Sequence, residues 1–351
     1  MLIAGEYPWP EVIGPRIRLS MVLRALRRCG PVELFSLISR FRTDVGEPDE
    51  SLGLDRVTRV GFDNRPPRPL ELAGNLMRPG IPFGLPMRGR RTAERALVRA
   101  ATGPYDLVWV FGGRTWALCG EPRLGPTVLD LDDLEDEKIA ARLALPPEGQ
   151  ARGMAALRRA AGAVAGREEM RRWRRLHRRA SRQVGAVAVC SPLDAERARA
   201  RGVVGVTVVP NGYRRRGEPL GRVPVAAEPT ILFQGLLRYP ANIEAANWLV
   251  REVLPPLRER LPAVRLRLVG DPSPAVERLH DPPVVTVVGK VPDMTDELAS
   301  ADLVVVPVRY GSGTRIKIIE AFAHRIPVAS TSLGAEGLDA VDGVHLLVGD
   351  D

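Results

Sequence analysis

The sequence predicts an α/β protein built from two doubly wound domains. Three observations carry that reading. The chain has 351 residues, about twice a typical domain of roughly 150. Short apolar runs recur along it, separated by stretches with helical periodicity. Several of those runs are continuous rather than alternating, as parallel strands covered by helices on both faces require.

The second half shows the alternation best. Strand candidates are Thr230–Phe233, Arg265–Val269, Val284–Val288, Leu303–Pro307 and Ile326–Ala329. Between them, Ile243–Leu261 repeats apolar residues at Ala246, Leu249, Val250, Val253, Leu254 and Leu257, and Thr314–His324 does so at Ile316, Ile319 and Ala323. Both spacings are those of a helix with one buried face. The first half offers Met1–Ala4, Val32–Ile38, Leu107–Phe111, Thr127–Leu131, Ala186–Val189 and Val206–Val209 as strands. Arg65–Arg90 is rich in proline and glycine and reads as a long loop with little regular structure. Residues 212–229 have the composition of a linker, which divides the chain into 1–211 and 230–351.

Bulk properties exclude several classes. With 45% hydrophobic and 26% charged residues, neither disorder nor coiled coil fits the whole chain. No apolar run approaches the roughly 20 residues of a membrane-spanning helix. Met1–Glu6 lacks the basic head and apolar body of a signal peptide. Cys29, Cys119 and Cys190 are too few and too scattered for a disulfide framework or a zinc site. A cytoplasmic protein is expected. Lys plus Arg is 51 against 42 for Asp plus Glu, a net charge of +9, and Lys138, Lys290 and Lys317 are its only lysines. Such a surface suits polyanionic neighbours. Aromatic content of 5% and the lack of a recognition module argue against nucleic acid.

The richest segment runs from Tyr310 through Gly311, Ser312, Gly313, Thr314, Arg315 and Lys317 to Glu320. It follows a strand and opens a helix. Glycines let backbone N–H groups approach a ligand, the helix N-terminus is electropositive, and Arg315 and Lys317 add two full charges. Together they make a phosphate site. Glu320 suits ribose hydroxyls better than phosphate. The plainer alternative is a turn and a helix start with a solvated Lys317–Glu320 pair. No Gly-Lys-Ser/Thr is present, so this is not a P-loop.

The order of landmarks from Ile231 to Asp350 resembles the donor half of a retaining glycosyltransferase of the GT-B fold, family 4. Those landmarks are Phe233–Gly235, Leu268–Asp271, Val287–Val291, Ala301–Pro307, Ile319–Ala321, Ile326–Ser330 and Gly334–Gly337. Upstream, Cys190-Ser191 and Val209–Gly212 resemble the end of an acceptor half, and Pro8–Arg18 resembles the family's glycine loop. The resemblance implies two Rossmann-like domains facing across a cleft. It also implies sugar transfer from a nucleotide-diphosphate sugar to an acceptor, with retention, without metal or another cofactor. Glu320 then matches the second glutamate of the Glu-x7-Glu motif, which holds the ribose. Arg315 and Lys317 lie where a cationic residue can reach the diphosphate. Gly14 and Arg16 lie in the glycine loop, Lys290 and Val291 in the nucleobase loop, and Ser312, Gly313 and Thr314 in the phosphate loop. Gly334, Ala335 and Glu336 lie near sugar and phosphates.

The pattern also departs from the family. The first glutamate of the motif falls at Ser312, the second loop glycine at Pro15, and two usual phosphate cations at Leu236 and Asn242. Arg238, Arg315 and Lys317 are the candidate replacements. The usual C-terminal helices are expected to be absent. These departures leave a catalytically silent nucleotide-sugar-binding protein as the alternative. On the acceptor side, Asp130 and Asp133 end a strand and could serve as a base or orient a hydroxyl; the plain reading is an acidic helix start. Arg167–Arg182 forms a basic helix with a narrow stripe at Met170, Trp173, His177 and Ala180. It suits peripheral contact with an anionic membrane, or simply a solvated surface.

Overall fold

The computed structural model describes residues 1–40, 45–63, 65, 68–78, 80–86, 89–144, 153–214, 228–311 and 313–351. Contacts divide the chain into two compact units, Met1–Glu11 with Pro15–Pro210 and Val12–Gly14 with Asn211–Asp351. Of the expected linker, residues 215–227 lie outside the described residues.

The first unit contains β1 (Leu2–Ala4), α1 (Gly14–Arg27), β2 (Glu33–Ser39), β3 (Arg56–Phe62), α2 (Pro69–Leu76), α3 (Arg90–Ala100), β4 (Val108–Phe111) and α4 (Gly113–Leu118). It continues with β5 (Thr127–Leu131), α5 (Glu135–Ala144), α6 (Met154–Ser181), β6 (Ala186–Val189), α7 (Pro192–Ala200) and β7 (Val206–Val208). All strand pairs are parallel, in the order β3-β2-β1-β4-β5-β6-β7. Alternate residues of β1 enter different cores. Ile3 packs with Phe35, Val110, Trp116 and Leu129, while Leu2 and Ala4 pack with Leu19, Leu23, Leu34 and Phe111. Burial on both faces explains why the strands read as continuous apolar runs.

The second unit contains β8 (Thr230–Gln234), α8 (Pro240–Trp248), α9 (Leu254–Arg260), β9 (Arg265–Val269), α10 (Pro274–Glu277), β10 (Val285–Gly289) and α11 (Thr295–Ala299). Then follow β11 (Leu303–Val306), α12 (Ile316–Ala323), β12 (Val328–Ser330), α13 (Ser332–Ala335) and β13 (Leu347–Val348). Its parallel sheet runs β10-β9-β8-β11-β12-β13. Both sheets step outward from the first strand to one side and then reverse, the doubly wound pattern expected from the sequence.

Four expectations need correction. Arg65–Arg90 is not simply loop, because it contains α2. The edge strand β3 was not expected; arginines at Arg56 and Arg59 interrupt its apolar pattern. Ile243–Leu261 is not one helix. Pro255 and Pro256 lack N–H groups and fit only a first helical turn, so a π-turn at Leu249–Val253 joins α8 to a restarted α9. The helix expected from Thr314 starts at Ile316, with Arg315 in extended conformation as its N-cap.

Candidate functional site

In an open parallel sheet, ligands bind beyond the carboxyl ends of the strands where the winding reverses. In the second unit that point lies between β8 and β11, which pair directly. Gln234 ends β8 and is 4% exposed. Its Nε2 donates to Glu320 Oε2 on α12 at 2.7 Å, while its Oε1 is buried with no partner among the described residues. Glu320 also accepts from the Tyr213 hydroxyl, which lies 3.3 Å from His324 Nε2. Burial pushes the Glu320 carboxyl up to about 7, against the opposing pull of those two donors and of Lys317.

Lys317 sits one turn before Glu320. Its Nζ lies 3.4 Å from Asn242 Oδ1 and 4.7 Å from the centre of the Phe233 ring. Burial, then the charge of Arg315, lowers its ammonium to about 7, and Glu320 pulls the other way. Two like charges held in a desolvated corner gain from a bound anion, which restores the charged state. Glycines let these two cations lie close against the backbone. Gly235 has φ +149°, and a Cβ there would stand 3.1 Å from Lys317 Nζ. Gly311 has φ +134°, and a Cβ would meet Arg315 Nη2 at 2.8 Å. Thr314 Oγ1 is buried without a partner among the described residues. Lys317, Glu320, Arg315 and Thr314 thus come together, with Gly313 before them at φ +77°; Ser312 lies outside the described residues.

Other expected site residues are placed differently. Arg238, its side chain 58% exposed, is held by a carboxylate. Its Nε bonds Asp271 Oδ2 at 2.6 Å, and Lys290 Nζ approaches Asp271 Oδ1 at 3.5 Å, so both converge on a carboxylate beyond β9. Val291 follows, half-buried. Gly334 is a packing position, since a Cβ would lie 2.3 Å from Ser330 Oγ and 2.6 Å from the Val306 carbonyl. Ala335 ends the same short helix and Glu336 caps it.

Gly14, grouped by its contacts with the second unit, is the first residue of α1, whose remaining residues belong to the first unit. Arg16 was expected at a ligand, but it is wholly buried, with Nε on Glu6 Oε1 at 3.0 Å and Nη1 on the Pro10 carbonyl at 3.3 Å. Asp130 was expected to serve as a base, to orient a hydroxyl, or to belong to a solvated acidic helix start. It is also fully buried, accepting from Arg18 Nη2 at 2.7 Å and Trp109 Nε1 at 3.0 Å. Burial raises its carboxyl, and Arg18 and Trp109 offset part of that. Asp133 is half-buried and ion-paired with Lys138. Of the stripe on α6, Trp173, His177 and Ala180 are buried, and His177 Nε2 pairs with Glu135 Oε2 at 3.0 Å.

Gln234, Tyr213 and Asn242 were not assigned roles from the sequence. One signal was available for Gln234: a polar residue closing the apolar run of a parallel strand. Among the described residues, no cluster of three or more His, Cys, Asp or Glu is arranged to hold a metal, and no helix is long and apolar enough to cross a membrane.

Residues 228–351 match the family model described as Glycosyl transferases group 1. Over 132 residues the chain is 24% identical to an uncharacterised 44.6 kDa protein of the cps region of Klebsiella pneumoniae, a match spanning 34% of that protein and 34% of this chain. Among solved structures, Anabaena HepE in complex with UDP and glucose aligns with TM-score 0.56 at 18% identity, over 99% of this chain and 84% of HepE. WaaG, a glycosyltransferase of lipopolysaccharide biosynthesis, aligns with TM-score 0.55 at 15% identity, over 95% of this chain and 81% of its own. TarM aligns with TM-score 0.55 at 13% identity, over 74% and 48%. The fold is therefore GT-B, and its second unit resembles a group 1 glycosyltransferase domain.

Proposed function

We propose that this protein transfers a sugar from a nucleotide-diphosphate sugar to an acceptor, with retention at the anomeric carbon. One observation carries the reading: Gln234, Lys317 and Glu320 meet at the strand switch point, with Arg315 capping the adjacent helix. Glu320 accepts the ribose hydroxyls, held in place by Gln234 and Tyr213. Lys317 and Arg315 take the diphosphate at the positive end of α12. As the bond to the sugar breaks, charge grows on the β-phosphate, and these cations stabilise it. Side chains fill that role in this reading, with no metal required. No enzyme nucleophile is assigned, consistent with attack by the acceptor on the face the leaving group departs from. Asp133 remains the candidate to orient the acceptor hydroxyl.

UDP-sugars are the first donors to try, because HepE was captured with UDP-glucose and aligns across nearly the whole chain. A thermal-shift panel of nucleotide sugars tests donor binding. Ligand at a hundredfold excess over Kd adds about 2.7 kcal/mol to stability. A clear shift with one donor, with slow release of nucleoside diphosphate, supports the transferase. A shift with neither hydrolysis nor transfer points to a silent binding protein, and no shift with any donor overturns both.

We also infer that the partner surface is an anionic membrane. α6 turns Arg172, Arg174 and Arg179 to partners elsewhere in the unit, while Arg167, Arg178 and its C-cap Arg182 are exposed, as are Arg171 and Arg175 beside Glu168. A glycolipid acceptor would place the enzyme there.

A further inference from the structure

Helix α2 is turned inside out. At about 100° per residue, Leu70, Leu72, Ala73, Leu76 and Met77 share one side of it, and Glu71 and Asn75 lie on the other. A helix on a protein surface ordinarily buries its apolar side. Here Leu70 is 88% exposed and Met77 85%, with Leu76 at 55%, whereas Asn75 is 3% exposed.

Polar bonds hold the helix in this orientation. Asn75 Nδ2 donates to the carbonyls of Phe83 and Leu85 at 3.2 and 3.3 Å. Arg172 of α6 reaches under the last turn, with Nη1 on the carbonyls of Asn75, Arg78 and Ile81 at 2.6, 3.1 and 3.0 Å and Nη2 on that of Leu76 at 3.2 Å. Its guanidinium also covers the Phe83 ring at 4.0 Å. One turn earlier on α6, Glu169 accepts from the N–H groups of Phe83 and Gly84 at 2.5 and 3.0 Å. Glu71 folds back to the N–H of Arg68 at 2.9 Å and closes the first turn. The inward side and both ends are committed, and the apolar side is left to water.

An exposed apolar helix face is costly in water unless something covers it. The charges around it select the cover. Exposed Arg68 and Arg78 bracket the helix, Glu71 is turned to its own backbone, and α6, which grips α2, exposes Arg171 and Arg175. Leucine and methionine on one face with arginines at the rim is the composition of a helix lying at the boundary of headgroups and acyl chains. We propose that α2 is an interfacial anchor whose Leu70, Leu76 and Met77 side chains enter the surface of an anionic bilayer. The proposal rests on the membrane-surface reading given above, and adds the element that enters the lipid and the salt-resistant part of the binding.

The test is flotation of the full chain with vesicles of phosphatidylcholine alone or mixed with phosphatidylglycerol, at low and high salt. The expected result is binding to the mixed vesicles, part of it surviving high salt. The Leu70→Ser/Leu76→Ser/Met77→Ser variant should lose at least about tenfold of that binding and all of the salt-resistant part. Its melting temperature should stay unchanged, since the three side chains are exposed. Separately, Leu70→Trp should shift its fluorescence to the blue on mixed vesicles. If wild type floats and the triple variant floats equally, or the tryptophan does not shift, the α2 anchor is overturned and the surface reading stands. If wild type floats with neither vesicle, both fall. A wild-type dimer that the triple variant converts to monomer would assign the face to a second copy and overturn the anchor.

Discussion

Gln234 Nε2 and Glu320 Oε2 are joined by a 2.7 Å hydrogen bond that links the end of β8 to α12. The bond uses one oxygen of Glu320 and leaves the Gln234 carbonyl oxygen buried and unmatched. A ligand hydroxyl can satisfy that oxygen, so the pair offers a ribose two acceptors within one rigid corner. Such an orphan is costly when empty and favourable when filled.

The pH dependence of donor binding follows from the two neighbours in this corner. Glu320 titrates near 7 because burial raises it, so below that pH its carboxyl is protonated and accepts less well. Lys317 titrates near 7 because burial lowers it, so above that pH its ammonium is lost. The bridging diphosphate of a nucleotide sugar stays doubly charged throughout. Affinity should therefore peak near neutrality and fall on both sides. Glu320→Gln should flatten the acid limb and Lys317→Arg the alkaline limb, as read by calorimetry. A flat profile for the wild type between about pH 5 and 9 would refute this assignment.

Arg18 and Asp130 form a buried pair in the first unit, 3% and 0% exposed. Burial lowers the guanidinium, but Asp130, Cys190 and Asp132 together outweigh it and hold Arg18 above its ordinary value. Arg18→Ala would strand a buried carboxylate, with an expected loss of about 3–5 kcal/mol. Chemical denaturation measures it. The double variant Arg18→Met/Asp130→Asn should lose less than Arg18→Ala alone, because no unpaired charge remains.

Gly270 has φ +135°, and a Cβ there would stand 1.7 Å from the Gly235 carbonyl oxygen. Its N–H meanwhile donates to the Gly289 carbonyl at 2.8 Å, so the strand end cannot shift freely. Gly270→Ala should destabilise by about 2–4 kcal/mol through clash and backbone strain. A change within about 0.5 kcal/mol of wild type would show that the strand ends yield.

Local patterns were legible in the sequence, and distant contacts were not. The parallel strands announced themselves because both faces of each are buried. The grouping of Arg315, Lys317 and Glu320 was legible from spacing within one helix start. Gln234 and Glu320 are 86 residues apart, and no local pattern connects them. Arg16 and Asp130 looked like open polar groups, because a sequence does not show that Glu6 and Arg18 will meet them in the interior. α2 was hidden for a related reason: flanking prolines and glycines suggested loop, and the distant Arg172 holds the helix. The proline pair in Ile243–Leu261 was visible, but the apolar periodicity running through it favoured one continuous helix.

Donor binding at Lys317 and Glu320 is tested most directly by calorimetric titration of UDP and UDP-glucose into the wild type and into Lys317→Met and Glu320→Ala. Binding to the wild type is expected, with a loss of about 1–3 kcal/mol in each variant and unchanged melting temperatures without ligand. Wild-type affinity retained in both variants would contradict this, because the phosphates and the ribose would then rest elsewhere.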